Sequence, residues 1–198
     1  MDLRDLLARR RMVRSFDATP VDATWLEGLC ADALRAPTAG NAAGVRMHVV
    51  SADRIGDYFE AATDAQWRGS SRRYAGLARA GAAVIVTARV DDYLRRYAEP
   101  DKAASGLDER DAWPVPYWYV DAAMATMALL LLLEESDWQA ALWGNFRHST
   151  RVLAWIGAGD EELVATVLIG HDDGADRPTS SRGRDVPARS ARVSRVGD

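Results

Sequence analysis

ARRRMVRSF, residues 8–16, sets three arginines in a row and a fourth three positions on, in a chain whose formal net charge is −4. Such a cluster awaits an anion. A nucleic-acid backbone, an acidic partner, a membrane surface and a single small phosphate would each serve. A second basic stretch narrows the choice: residues 177–195 carry six arginines against Asp185. Both ends of the chain are therefore basic while its middle is acidic. Two basic ends converging on one compact anion is a different arrangement from a basic surface tracking DNA. The acidic overall balance and the lack of a basic stripe interleaved with aromatics argue against nucleic acid.

Outward from that cluster, the chain reads as short helices and strands. Asp2 to Arg10 has Leu3, Leu6 and Leu7 on one helical face. Asp22 is an N-cap for a helix through Ala36, with Trp25, Leu26, Leu29, Cys30, Ala33 and Leu34 as its apolar stripe. Pro37 stops that helix, and PTAGNAAG (37–44) is a loop by composition. Strands are expected at 45–50, 82–88, 139–144 and 162–170. Helices are expected at 52–62, 63–80, 117–135 and 149–156. A short helix after Asp91 leads into an irregular excursion through Trp113, Pro114, Pro116, Tyr117 and Trp118. Residues 175–198 form a basic arm. At 198 residues, with no repeat or linker, residues 1–198 are expected to be one domain.

Several chemistries find no support. The first residues are charged and carry no secretory leader, and the longest apolar run, 122–133, is too short to span a bilayer. It reads as a core helix in a cytoplasmic protein with no membrane partner. Cys30 is the only cysteine and cannot form an intramolecular disulfide. No dinucleotide or P-loop glycine pattern is present. His48, His148 and His171 lack metal-ligand spacing and read as core or surface histidines. Glu134 and Glu135 point to different sides of a helix. With no nucleophile, metal site or acid–base pair in view, demanding chemistry would have to come from a cofactor. The helix at 117–135 is apolar nearly all round and needs cover on every side. Four short strands do not provide it, so a homodimer is expected through this helix, which would otherwise expose Leu129, Leu130, Leu132 or Leu133.

Three segments taken together carry a resemblance. RRRMVRSF is followed by PVD and an amphipathic helix. A helix ends in ALRAPTAGN. The basic RGRDVP comes shortly after a strand ending LIGHDDG. In this order and spacing, with the long apolar helix between the second and third, they resemble the nitroreductase family of FMN-dependent, homodimeric flavoenzymes. The resemblance implies an α+β fold: a central, mostly antiparallel sheet flanked by helices, with the long hydrophobic helix at the dimer interface.

It also implies a site. Arg10 and Arg11, with Arg182 and Arg184 from the tail, would grip the FMN phosphate and ribityl chain, for which the planar guanidinium fork is suited. Arg14 would reach the pyrimidine edge of the isoalloxazine, where a cation stabilises the negative charge of the reduced ring. Pro37, Thr38, Ala39 and Asn41 would lie at the dimer interface and touch the flavin of the other subunit. ESDWQAALWGNF would run behind the ring, with Leu142 and Trp143 packed near it and the Gly144 N–H bonded to flavin N5. Three positions depart from the family pattern. Met12 stands where a serine often helps to bind phosphate. Ala43-Gly44 replaces Gln-Pro. Asp137-Trp138-Gln139 replaces a Gly-Leu-Gly turn, which puts that tight turn in question.

The implied activity is ping-pong hydride transfer from NAD(P)H, through FMN, to an electron-poor small-molecule acceptor such as a nitroaromatic or a quinone. The excursion with Trp113 and Trp118 is a candidate cover for the reacting face. The alternative is an accessory or storage member of the same superfamily that binds flavin or deazaflavin without nicotinamide turnover, which the lost turn favours. A cofactor-free dimeric interaction protein is a weaker third.

Overall fold

The computed structural model describes residues 2–176 and 183–196. Arg182, one of the expected phosphate ligands, lies outside them. The chain forms α1 (Leu3–Arg9), α2 (Ala23–Ala33), β1 (Val45–Ser51), α3 (Ile55–Ala62), α4 (Ala65–Ser70), α5 (Tyr74–Leu77), β2 (Ala82–Ala88), α6 (Val90–Tyr97), α7 (Tyr117–Glu135), β3 (Gln139–Trp143), α8 (Ser149–Ile156) and β4 (Glu162–Gly170). The four strands make one sheet in the order β1-β2-β4-β3. Every neighbouring pair is antiparallel.

β2 is buried along its whole length, which is why its sequence is an unbroken apolar run rather than an alternation. Ala82, Val84 and Val86 meet Leu26 and Cys30 of α2 and Ala122, Ala125 and Leu129 of α7 on one face. Ala83 and Ile85 meet Tyr58 and Phe59 of α3, Leu77 of α5 and Val152 of α8 on the other. The result is a sheet with helices on both sides. Asp22 caps α2 by accepting the Trp25 N–H at 2.7 Å. Burial pushes the Cys30 thiol up to about 12, with the Glu27 charge adding to the effect, as fits a packing residue.

The phase of α7 corrects one expectation. Leu129, Leu130 and Leu133 are buried within the single chain. Beyond its ends, the residues left partly or fully open are Val120, Ala123, Met124, Met127, Ala128, Leu131 and Leu132, one continuous stripe at helical spacing. A helix that is apolar on every side gives no pattern from which its buried face can be read.

At the end of α7 the backbone turns tightly. Asp137 adopts φ 62, the Trp138 N–H bonds the Leu133 carbonyl at 2.9 Å, and the Asp137 N–H bonds that of Glu134 at 3.3 Å. This is a Schellman closure with aspartate in the left-handed position where glycine is usual. The turn survives the loss of its glycines and delivers β3 to the sheet.

Candidate functional site

The arginine-rich segment does not continue α1. It runs extended beside β3, with Met12 paired in parallel to Ala140. The Val13 N–H donates to the Ala140 carbonyl at 3.0 Å, and the Leu142 N–H to Met12 Sδ at 3.2 Å. Val13 and Phe16 are fully buried and act as two anchors. The parallel register brings Arg14 level with Leu142, so two segments about 130 positions apart in sequence become neighbours.

Here a cleft of about 450 Å³ opens, lined by Arg14 and by Leu142, Trp143 and Gly144. Its opposite wall comes from the polar stretch around α4 and α5: Thr63, Asp64, Trp67 and Arg73. Beyond Gly144 it is closed by Asn145, Phe146, Arg147 and His148. Asn145 is tied down from both ends of its amide. Thr166 Oγ1 donates to Oδ1 at 2.9 Å, and Nδ2 donates to the Tyr58 hydroxyl at 3.0 Å. Burial pushes that phenol up to about 12, so it stays protonated. Phe146 is 97% exposed, and its ring lies over Gly144, where a Cβ would meet ring carbons at 2.5–3.0 Å. Trp67 and Trp143 pack edge to face, with centroids 5.2 Å apart.

The cationic side chains divide. Arg14 lies along the cleft wall, with Nη1 donating to the Met12 carbonyl at 3.4 Å. Arg11 turns to Asp172 and pairs with it; that hydrogen bond holds the Asp172 carboxyl below the usual aspartate value. Arg10 is half-buried, and its Nη1 is a buried donor with no hydrogen-bond partner among the described residues. Arg184 is exposed.

The 37–44 loop is elsewhere. Pro37, Thr38, Ala39 and Asn41 line no part of this cleft. The loop is nevertheless held closely. Asp121, only 1% exposed, accepts the Ala39 N–H at 2.8 Å and the Tyr93 hydroxyl at 2.9 Å. Burial and the Asp121 charge raise the Tyr93 phenol. Arg96 Nε donates to the Gly40 carbonyl at 2.7 Å. Gly40 has φ 61, with Tyr97 packed where a Cβ would stand, so only glycine fits there. Asn41 and Ala43 also take positive φ, 57 and 52. Trp113 and Trp118 do not cover the cleft. They are buried with Tyr93 in a separate cluster, and the Trp113 Nε1–H is satisfied by the Leu107 carbonyl at 2.8 Å.

Asp64, Trp67, Arg73 and His148 were not anticipated from sequence. Residues 63–80 read only as a polar helical stretch, and their place in the cleft follows from how α4 and α5 lie against β3.

The sequence model of the nitroreductase family matches residues 7–171. The chain belongs to the nitroreductase family. Solved structures of similar fold agree. A nitroreductase-like family protein from Bacillus cereus is 16% identical, with a TM-score of 0.69, over 100% of this chain and 97% of that one. A protein from Exiguobacterium sibiricum, solved in complex with FMN, is 15% identical, with a TM-score of 0.70 and 94% of each chain covered. The nitroreductase CinD from Lactococcus lactis, in complex with nicotinic acid, is 13% identical, with a TM-score of 0.70, over 95% of this chain and 100% of that one. At such identities the likeness is one of fold. No curated protein matches the sequence. Membership of the nitroreductase family, with an FMN-bound structure among its fold neighbours, supports an oxidoreductase that works through a flavin.

Proposed function

We propose that this nitroreductase-family protein is a homodimeric, FMN-dependent NAD(P)H oxidoreductase whose acceptor is an electron-poor small molecule such as a nitroaromatic or a quinone. The observation that carries the reading is the unpaired, buried Nη1 of Arg10, on the segment whose Arg14 lines an open cleft. A buried donor without a partner costs about 1–3 kcal/mol; Arg10 does not line the cleft, and an anionic phosphate would satisfy the donor once the side chain turned outward. The residues present fit the cofactor in this respect and in a second: Arg14 and Arg73 set two further cations on the cleft beside Gly144.

Bound FMN would supply a two-electron carrier between a reduced nicotinamide and the acceptor. The chain's own groups bind, orient and exclude water. Arg10 and Arg11, with Arg182 and Arg184, are assigned to the phosphate and ribityl chain, and Arg11 would share itself between the phosphate and Asp172. Arg14 and Arg73 place two permanent cations at the edge of the cleft, where they stabilise negative charge on the ring. Met12 holds β3 in register, and the Gly144 N–H is the donor for flavin N5. Leu142, Trp67 and Trp143 keep the site dry. Pro37, Thr38, Ala39 and Asn41, braced by Asp121, are assigned to the flavin of the second subunit. The half-open stripe of α7 is the face that a second copy would cover.

The lost Gly-Leu-Gly turn favoured an accessory role without nicotinamide turnover. With Asp137 keeping the turn's backbone, that feature no longer separates the two readings. The experiment is the absorbance spectrum of purified protein, followed by anaerobic addition of NADH and of NADPH. Yellow protein that releases FMN and is bleached by one of them is expected. A colourless protein that FMN does not reconstitute overturns the reading. In Arg10→Ala the FMN affinity should fall by about 1.5–3 kcal/mol, roughly 10–100-fold, with no loss of fold stability, because the side chain removed was unpaired.

A further inference from the structure

We infer that Asn145 is a positioning residue that fixes the Gly144 N–H for flavin N5, and that Thr166 and Tyr58 hold Asn145 for that task; this rests on the function proposed above. The direction of that N–H follows from β3. In an extended strand the backbone groups of alternate residues point the same way. The Ala140 carbonyl accepts from the Val13 N–H, and the Leu142 N–H donates to Met12 Sδ. Ala140 and Leu142 thus turn their backbone groups toward the arginine-rich segment and away from β4. Gly144, two residues past Leu142, continues that set. It lies just beyond the last ladder pair, Trp143 with Thr166, and it lines the cleft. No backbone acceptor among the described residues takes its N–H.

Trp143, still in the ladder, fixes the near side of the peptide that carries this N–H. The far side is Gly144 itself, whose dihedrals are the least restricted of any residue, so the next residue has to supply the anchor. The Asn145 side chain does so by reaching back past the strand end. Thr166 Oγ1 donates to Oδ1 at 2.9 Å, and Nδ2 donates to the Tyr58 hydroxyl at 3.0 Å. Because Thr166 is the ladder partner of Trp143, the residue after Gly144 is tied to the residue opposite the one before it. Thr166 and Tyr58 are fully buried and line no part of the cleft, so they act on a bound flavin only at second hand. Burial pushes the Tyr58 phenol up to about 12. The anchor is therefore uncharged and does not change with pH near neutrality.

What such an anchor does to the cofactor follows from the ring's chemistry. N5 of oxidised flavin accepts a hydrogen bond, whereas N5 of the two-electron-reduced ring carries a hydrogen of its own. An N–H fixed opposite N5 favours the oxidised form, and an N–H free to turn away favours neither. Loosening Asn145 should therefore weaken binding of oxidised FMN more than binding of reduced FMN, and the flavin's potential should rise.

The test compares wild type, Thr166→Val, Thr166→Ser and Asn145→Ala. Thr166→Val keeps the side chain's shape and removes the hydroxyl, and Thr166→Ser keeps the hydroxyl. Without FMN, nitrogen relaxation of the Gly144 amide should give an order parameter of about 0.85 in wild type and Thr166→Ser, and below about 0.6 in Thr166→Val and Asn145→Ala. With FMN, the ratio of oxidised to reduced affinity should fall about tenfold in the last two, which raises the potential by about 30 mV for a two-electron couple. Thr166→Ser should keep the wild-type potential. An unchanged potential in Thr166→Val, the same shift in Thr166→Ser, or a Gly144 amide as rigid in Thr166→Val as in wild type overturns the inference, even where Thr166→Val is less stable. If either Thr166→Val or Asn145→Ala does not fold, the other, set against Thr166→Ser, decides it. Wild type that binds no FMN, with the Gly144 amide still loosened in Thr166→Val, sinks the proposed function instead and leaves the anchor standing.

Discussion

In the cleft, Arg14, Arg73 and Gly144 come from three distant parts of the sequence and meet inside one chain. In the 37–44 loop, Ala39 and Gly40 are held just as firmly, yet they line no part of that cleft. The first region is assembled by strand pairing, through Met12 and Ala140, and its interior is open. The second is braced from behind by a buried carboxylate and a guanidinium, and it packs Ala39 and Ala42 against the cluster of Tyr93, Trp113 and Trp118. Burying Asp121 is costly unless its hydrogen bonds are met. Two of them are, and both serve to set this loop and the Tyr93 ring behind it. A loop shaped at that cost that lines no part of the cleft in its own chain is a candidate for a surface outside it. The partly open stripe of α7, from Val120 to Leu132, and the exposed Leu3 and Leu7 of α1 mark where such a surface would come from. Leu3, Leu6, Ala128, Leu131 and Leu132 line one groove.

The largest expected effect breaks the comparison if it fails. In Leu131→Glu a carboxylate replaces a leucine near the C-terminal end of that stripe while the packed face of α7, Leu129 and Leu133, is untouched. Self-association should weaken by about 3 kcal/mol, roughly a hundredfold, and bound FMN should fall with it, since assembly and cofactor binding are linked. Sedimentation paired with the flavin-to-protein ratio reads both. A monomeric variant with a full complement of FMN would mean that the cleft is sufficient and the loop has no share in the site.

A smaller effect sharpens the same contrast. Asp121→Ala strands the Ala39 N–H and the Tyr93 hydroxyl, each worth about 1–3 kcal/mol when buried unpaired. Unfolding in urea should show a loss of about 2–4 kcal/mol. Asp121→Asn, which keeps one acceptor oxygen, should lose less. Equal and negligible losses in both would show that water already satisfies the loop and that Asp121 does not brace it.

Which features could be read in advance follows from how each is made. The bounds of β2, α7, α8 and β4 agree with the sequence reading because each is a run of one character closed by a turn or a polar stretch. The 63–80 stretch does not stay one helix: Ser71 is extended and separates α4 from α5, and neither half has an apolar stripe strong enough to announce the break. α2 ends at Ala33 rather than Ala36, where Leu34 already closes it as the C-cap. In the site, Arg14 and Gly144 were legible through the family pattern of their segments, whereas Arg73, Asp64 and His148 belong to no motif. Their meeting depends on how α4, α5 and α8 stack against β3, a tertiary fact with no local signature.

The smallest effect concerns the turn that joins the two halves, since it ends α7 and begins the strand carrying Gly144. Asp137 occupies a left-handed position that costs an L-residue about 1 kcal/mol, less for aspartate than for most. Its side chain gives something back by accepting from Arg9 Nη2 at 3.3 Å, but both partners are largely exposed, and such a pair contributes little. Asp137→Gly removes the strain and also frees the unfolded chain, so the net gain should be small, about 0.5 kcal/mol. Asp137→Ala keeps the strain and loses the Arg9 contact, and should be destabilised by about 1 kcal/mol. The order Gly above Asp above Ala in urea midpoints is the expected result. FMN affinity should be the same in all three, because the Schellman closure holds β3 in place with any of these side chains. A change in affinity in Asp137→Gly without a change in stability would show that aspartate at this turn tunes the flavin site through β3, and would reopen the accessory reading on new grounds.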